Sequence, residues 1–153
     1  MTYLLDTNVI SAVAPTKQGR PIELVEWLDQ ASDSLYLSVV TVAEIRDGIA
    51  KAAREGATRK AATLKAWWTA VEHFYGNRIL DFDLRAAAIA GSMMDIARAA
   101  GQTPGFADVV IAATADAHGL TILTRNRKHF ESLGGPILNP FDTLPPLPGV
   151  APS

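Results

Sequence analysis

The 153-residue chain contains no cysteine. A disulfide framework, a thiolate metal site and a cysteine nucleophile are therefore all excluded. No apolar run approaches the ~20 residues that a membrane-crossing helix needs. The opening residues, MTYLLD, carry no basic stretch and reach an aspartate at position 6. They do not read as a secretory leader, and the expectation is a cytoplasmic protein with no membrane contact. Histidine is scarce, at three residues, and neither histidine nor serine is placed where nucleophilic catalysis would need it. Nor is the chain basic. With 14 Lys and Arg against 16 Asp and Glu the net charge is −2, so any hold on nucleic acid has to come from local patches.

What is present is an ordinary globular composition, 48% hydrophobic and 20% charged. A single domain of this size buries roughly 68–70% of its unfolded surface. Strand-like runs at 2–5, 35–40, 78–82, 120–124 and 136–138 alternate with helical stretches at 7–13, 41–55, 58–75, 84–100 and 106–118. A further helix runs to about residue 31, with Pro21 in its first turn and Ile22, Val25 and Leu28 on one face. This alternation predicts an α/β fold, a mostly parallel central sheet with helices on both faces. Residues 1–141 read as the domain. Residues 142–153 read as a proline-rich tail, extended and mobile, since five of the nine prolines lie beyond Asn139.

In a parallel sheet every strand ends at the same edge, and ligand sites form there. That places Asp6, just after the first strand, near Glu44, which follows the second, and Asn126, which follows the strand at 120–124. Asp108 opens a helix that runs back to feed that strand, so it starts at the same edge. Two like charges at ~4 Å repel by roughly 4 kcal/mol even at an effective dielectric of about 20. A divalent cation is the economical reason to gather them. Each residue also has a purely structural reading. Asp6 suits a helix N-cap, Thr41 and Glu44 are spaced as a capping box, Asp108 meets a helix dipole, and Asn126 suits a turn.

The segments DTNVIS at 6–11, SVVTVAEIRDGI at 38–49, FADVVIAATA at 106–115 and TRNRKHF at 124–130 occur in that order. Together they resemble the PIN domain nucleases, and more narrowly their toxins of the VapC and FitB kind, over residues 2 to about 141. The resemblance implies a three-layer α/β/α domain and a metal-dependent endoribonuclease that uses Mg²⁺ or Mn²⁺. Asp6, Glu44 and Asp108 match the family's three acidic positions. At the fourth, often aspartate, the TRN segment offers Asn126, a neutral ligand that lowers the charge of the site. Asn8 and Thr124 match positions that orient the carboxylates. Arg46, Arg125, Arg127 and Lys128 are candidates for RNA-phosphate contacts. The resemblance further implies a homodimer silenced by a cognate antitoxin whose tail fills a groove, with the helices at 41–75 as the candidate groove.

Other readings of the same residues stay open. A phosphatase of the haloacid dehalogenase class also starts with an aspartate after its first strand, but it needs a second two residues on, where this chain has Asn8. A non-catalytic module binding RNA or protein draws its support from Asn126. His129 reads as a surface histidine in a turn. Of the adjacent Trp67 and Trp68, core packing explains one and leaves the other for an interface.

Overall fold

A computed structural model describes residues 1–147 and Gly149. Its centre is a five-stranded sheet in the order β3-β2-β1-β4-β5, with every pairing parallel. The strands are β1 (Tyr3–Leu5), β2 (Leu35–Ser38), β3 (Ile79–Leu80), β4 (Thr121–Leu123) and β5 (Ile137–Leu138). The helices are α1 (Thr7–Ala12), α2 (Ile22–Gln30), α3 (Val39–Arg54), α4 (Thr58–Tyr75), α5 (Leu84–Ala99) and α6 (Phe106–His118).

Successive side chains of a strand point to opposite faces, and β1 uses both. Tyr3 and Leu5 join Leu35, Leu37, Leu24, Trp27, Leu28 and Trp68 in one core. Leu4 joins Ile122, Ala90, Ala97, Val109 and Ile111 in the other. This is the three-layer α/β/α arrangement expected. The sequence departs from one side of β1 to build β2 and β3, then returns to its other side for β4 and β5. Strand order therefore reverses between β1 and β4, and a crevice opens there at the C-terminal edge.

Two expectations are corrected. Helix α3 starts at Val39, directly off β2, and its N-cap is Ser38, whose hydroxyl accepts the Val40 N–H at 3.1 Å. The capping box expected at Thr41 and Glu44 does not form, because an effective cap three residues earlier already turns the chain and draws Thr41 into the helix, where it is buried. In α2 the buried face is Leu24, Trp27 and Leu28, whereas Ile22 is 70% exposed. Pro21 sits one position earlier than expected, as the N-cap. The orientation follows Trp27, the largest side chain of the helix, whose indole N–H donates to the Pro145 carbonyl at 2.8 Å.

Phe141, Leu144 and Leu147, on both sides of the boundary expected at 141, pack against the first core. The rest of the expected mobile tail, residues 148 and 150–153, lies outside the described residues. No helix among the described residues is long and apolar enough to cross a membrane.

Candidate active site

At the crevice, Asp6 caps α1. Its Oδ1 accepts the Thr7 N–H at 2.8 Å, and its Oδ2 accepts the Thr124 hydroxyl at 2.7 Å. Only 7% of Asp6 is exposed. Glu44, on the first turns of α3, accepts the Thr7 hydroxyl at 2.7 Å. Thr7 and Thr41 hydroxyls lie 3.0 Å apart. A hydroxyl has one proton, and Thr7 gives its own to Glu44, so Thr41 is the donor of that pair. Thr7 thus ties β1's end to α3 and holds two of the acids through its amide and its hydroxyl.

Thr124, at the end of β4, is the second hub. Its hydroxyl donates to Asp6 and accepts from Asn8 Nδ2 at 3.4 Å and the Asn126 N–H at 3.0 Å, which fills its capacity. Asn8 in turn accepts the Arg125 N–H at 3.2 Å. Replacing Thr124 by valine keeps the shape and removes the hydroxyl. It leaves a buried carboxylate oxygen and an amide short of a partner. Thr124→Val is expected to cost about 1–3 kcal/mol, and a urea melt against wild type measures it. An unchanged midpoint would show that the hub carries no stability.

Asp108 stands in the first turn of α6, half-buried, with His129 Nδ1 3.5 Å from its Oδ2. The electrostatics link the three acids. Burial pushes the Asp6 carboxyl above its usual range; the Thr124 and Thr7 hydrogen bonds oppose this, and the charges of Asp108 and Glu44 push it further up. Burial likewise raises Asp108, against the pull of His129 and with the repulsion of Glu44. Such oxygen-only donors suit a hard divalent cation. As the side chains lie, no three Asp, Glu or His residues among the described residues stand close enough to close on one ion; Glu44 is turned onto Thr7. Asn126 is exposed, and its amide, bound to Thr124, starts the 3-10 turn at Arg127–His129.

The basic candidates fare differently. The Arg46 guanidinium makes two 2.8 Å bonds to Glu72 and ties α3 to α4. A carboxylate 26 residues away took it, which no local pattern reveals. Arg125 lies over the Phe141 ring, 3.8 Å from its centroid. Arg127 and Lys128 are exposed in the turn beside Asn126, and Lys128 lines a polar cleft with Asp108 and His129. His129 is the residue that sequence reasoning undervalued. Its place in the TRNRKHF turn was the available signal, but only the fold sets that turn against the start of α6.

Fold and crevice together define the class. The PIN domain family matches residues 3–136, and the chain belongs to that family, whose ribonucleases are in general dependent on a divalent metal. VapC ribonuclease Y4jK of Sinorhizobium fredii is 38% identical over 140 residues, 91% of this chain and 97% of the relative. Toxin FitB of Neisseria gonorrhoeae is 35% identical over 139 residues, 90% and 97% of the two chains. The crystal structure of FitAcB from the same organism aligns with a TM-score of 0.80 at 35% identity, covering 92% of this chain and 99% of that one. Within the PIN domains this chain is of the VapC and FitB toxin type.

Proposed function

We propose that the chain is the toxin of a type II toxin–antitoxin pair, a cytoplasmic endoribonuclease that hydrolyses RNA phosphodiester bonds at a Mg²⁺ held by Asp6, Glu44 and Asp108. Asn126 is its neutral fourth ligand, and Mn²⁺ can substitute. The observation that carries this reading is the convergence of Asp6, Glu44 and Asp108 at the β1–β4 crevice, where Thr7 bonds both Asp6 and Glu44 and Asp108 opens α6 beside them. Bound there, a divalent cation supplies Lewis-acid polarisation of the phosphate and a more acidic attacking water. The chain's own residues do the rest. Thr7 and Thr124 fix the angles of Glu44 and Asp6, and Asn8 holds Thr124 and the Arg125 backbone in register. Arg125, Arg127 and Lys128 take neighbouring phosphates.

Relatives solved as two-component complexes, FitAcB and the FitAB assembly on a DNA fragment, support a protein partner. On this reading the chain works as a homodimer that a cognate antitoxin holds inactive. A haloacid-dehalogenase phosphatase is disfavoured because Asn8, engaged with Thr124 and Arg125, offers no acid where that chemistry needs one. Expression of the chain alone is expected to arrest growth, and co-expression with the product of a small adjacent gene to relieve it. RNA cleavage in Mg²⁺ that chelator stops is the corresponding test in vitro; cleavage that persists in chelator would refute the metal site.

Asn126→Asp restores a fourth carboxylate. It is expected to bind Mn²⁺ at least as tightly as wild type in calorimetric titration. A clear loss of affinity would make Asn126 a turn residue only.

A further inference from the structure

Strand β5 ends at Leu138, and the chain then turns through Asn139, Pro140 and Phe141. The Asn139 carboxamide closes the turn by accepting the Phe141 N–H at 2.9 Å, the local bond that suits asparagine to turns. From there residues 139–147 run as a strap. Just before it, the Leu138 carbonyl accepts the Thr124 N–H at 3.0 Å. Near its far end Trp27 holds the Pro145 carbonyl, and Phe141, Leu144 and Leu147 pack on the first core. A segment tied at both ends and packed along its length keeps the Phe141 ring in one place.

Arg125 meets that ring. Its N–H donates to Asn8 Oδ1 at 3.2 Å, and its carbonyl accepts Asn139 Nδ2 at 3.4 Å. Its guanidinium carbon lies 3.8 Å from the centre of the Phe141 ring. Helix α1 and the strap thus grip an exposed residue by backbone and side chain together.

Arg78 provides the comparison. It too lies over aromatic rings, those of Phe74 and Tyr75, but its N–H groups go to the carbonyls of Ser32, Leu35 and Phe74. That stacked arginine is a strut. The Arg125 guanidinium makes no hydrogen bond or ion pair to any described residue. The ring sets its position and leaves its N–H donors for an oxygen ligand.

We infer that Phe141 and Asn139 are positioning residues, which set the Arg125 guanidinium in advance as a fork for an RNA phosphate beside the scissile one. The inference rests on the nuclease reading above and adds the C-terminal strap to the substrate site. A planar fork of N–H groups fits phosphate oxygens two at a time. Residue 125 follows Thr124, whose hydroxyl binds Asp6, so an anion on this guanidinium lies at the edge of the carboxylate crevice. A long side chain that phosphate itself must order gives up rotamer freedom on binding, and one already held gives up little. Arg127 and Lys128, exposed in the next turn, have no such hold among the described residues.

Anisotropy of a short fluorescein-labelled RNA of mixed sequence, titrated with the full chain in EDTA, reads binding without hydrolysis. Arg125→Ala should weaken binding and flatten the dependence of log K on log salt by about 0.7, one phosphate contact. Phe141→Leu leaves every charge in place and keeps an apolar side chain on the core. It should still weaken binding roughly two- to tenfold, the ordering cost of one long side chain, and Asn139→Ala should do likewise. Phe141→Tyr, which keeps the ring, should bind as wild type does. In the Arg125→Ala background Phe141→Leu should have no further effect, the non-additivity of a residue that acts through another. In Mg²⁺ Phe141→Leu should raise KM by the same factor with kcat nearly unchanged.

A strap that serves stability alone gives other results. Phe141→Leu would then lower the melting temperature and leave affinity and KM as they were, or its effect would add to that of Arg125→Ala. Either result overturns the inference. So does unchanged RNA binding in every variant with loss of the complex with a protein partner, which would give the arginine to a carboxylate of that partner. Failure of the nuclease reading looks different: the variants rank in RNA affinity as stated, but wild-type chain cuts no RNA in Mg²⁺ or Mn²⁺.

Discussion

Asp6→Asn, Glu44→Gln and Asp108→Asn are each expected to abolish growth arrest on expression of the free chain, and each purified variant is expected to lose RNA cleavage. The loss should exceed the ~10–100-fold that removal of a group outside the ligand set costs, so Thr124→Val serves as the internal comparison, damaged but measurable. All three acids would hold one ion, and no remaining residue can replace a lost charge. Asp6 in addition caps α1, where asparagine caps about as well as aspartate; its loss of activity therefore cannot be ascribed to the helix. Undiminished toxicity of the Asp108→Asn protein, at equal soluble expression, would remove the site as drawn.

Crowded carboxylates also set how stability responds to pH and metal. The Asp6 and Asp108 carboxyls are raised in the fold, so between their ordinary and their raised values the folded chain binds more protons than the unfolded one. Stability then falls as pH rises. Without metal the contribution of these two groups to stability should be greatest below the ordinary aspartate range, near pH 4, fall as pH climbs through the raised values, and stay level above them. Asp108→Asn removes one charge and relieves Asp6. Its metal-free melting temperature at neutral pH should rise, with about 2–4 °C for each kcal/mol in a chain of this size. Mg²⁺ at a hundred times its dissociation constant should stabilise wild type by about 2.7 kcal/mol and the variant far less. Thermal melts in chelator and in Mg²⁺ decide the matter. A variant less stable without metal, with an unchanged Mg²⁺ response, would mean that Asp108 serves the helix dipole alone.

Much of this was legible because α/β order is written in short, regular signals. Tyr3–Leu5 followed by Asp6, and Thr121–Leu123 followed by Thr124–Asn126, mark strand ends without ambiguity. Once the strands are parallel, their ends share an edge. The sequence could not show how that edge is wired. Thr41 reads as a cap because its spacing to Glu44 is right, but Ser38 caps first and Thr41 instead hydrogen-bonds Thr7, 34 residues away. Arg46 reads as a phosphate ligand because it is basic and near Glu44; its partner Glu72 is visible only once α3 lies on α4. His129 needed the turn after β4 to meet the start of α6. The Thr7–Thr41, Arg46–Glu72 and Asp108–His129 contacts have one thing in common: each joins side chains distant in sequence, which periodicity does not encode.

The bond between Thr124 and Asp6 spans 118 residues, and it sets a clock on synthesis. A ribosome adds about 5–20 residues per second, so roughly 6–24 s pass between making the first residue of the crevice and making the one that braces it. Throughout that interval β1, the middle strand of the finished sheet, lacks β4 on one side, and the Asp6 carboxylate lacks its hydroxyl donor. A product of a message broken before codon 121 lacks β4 and can never complete the sheet. On the proposed function, activity would then be expected only from a nearly complete chain.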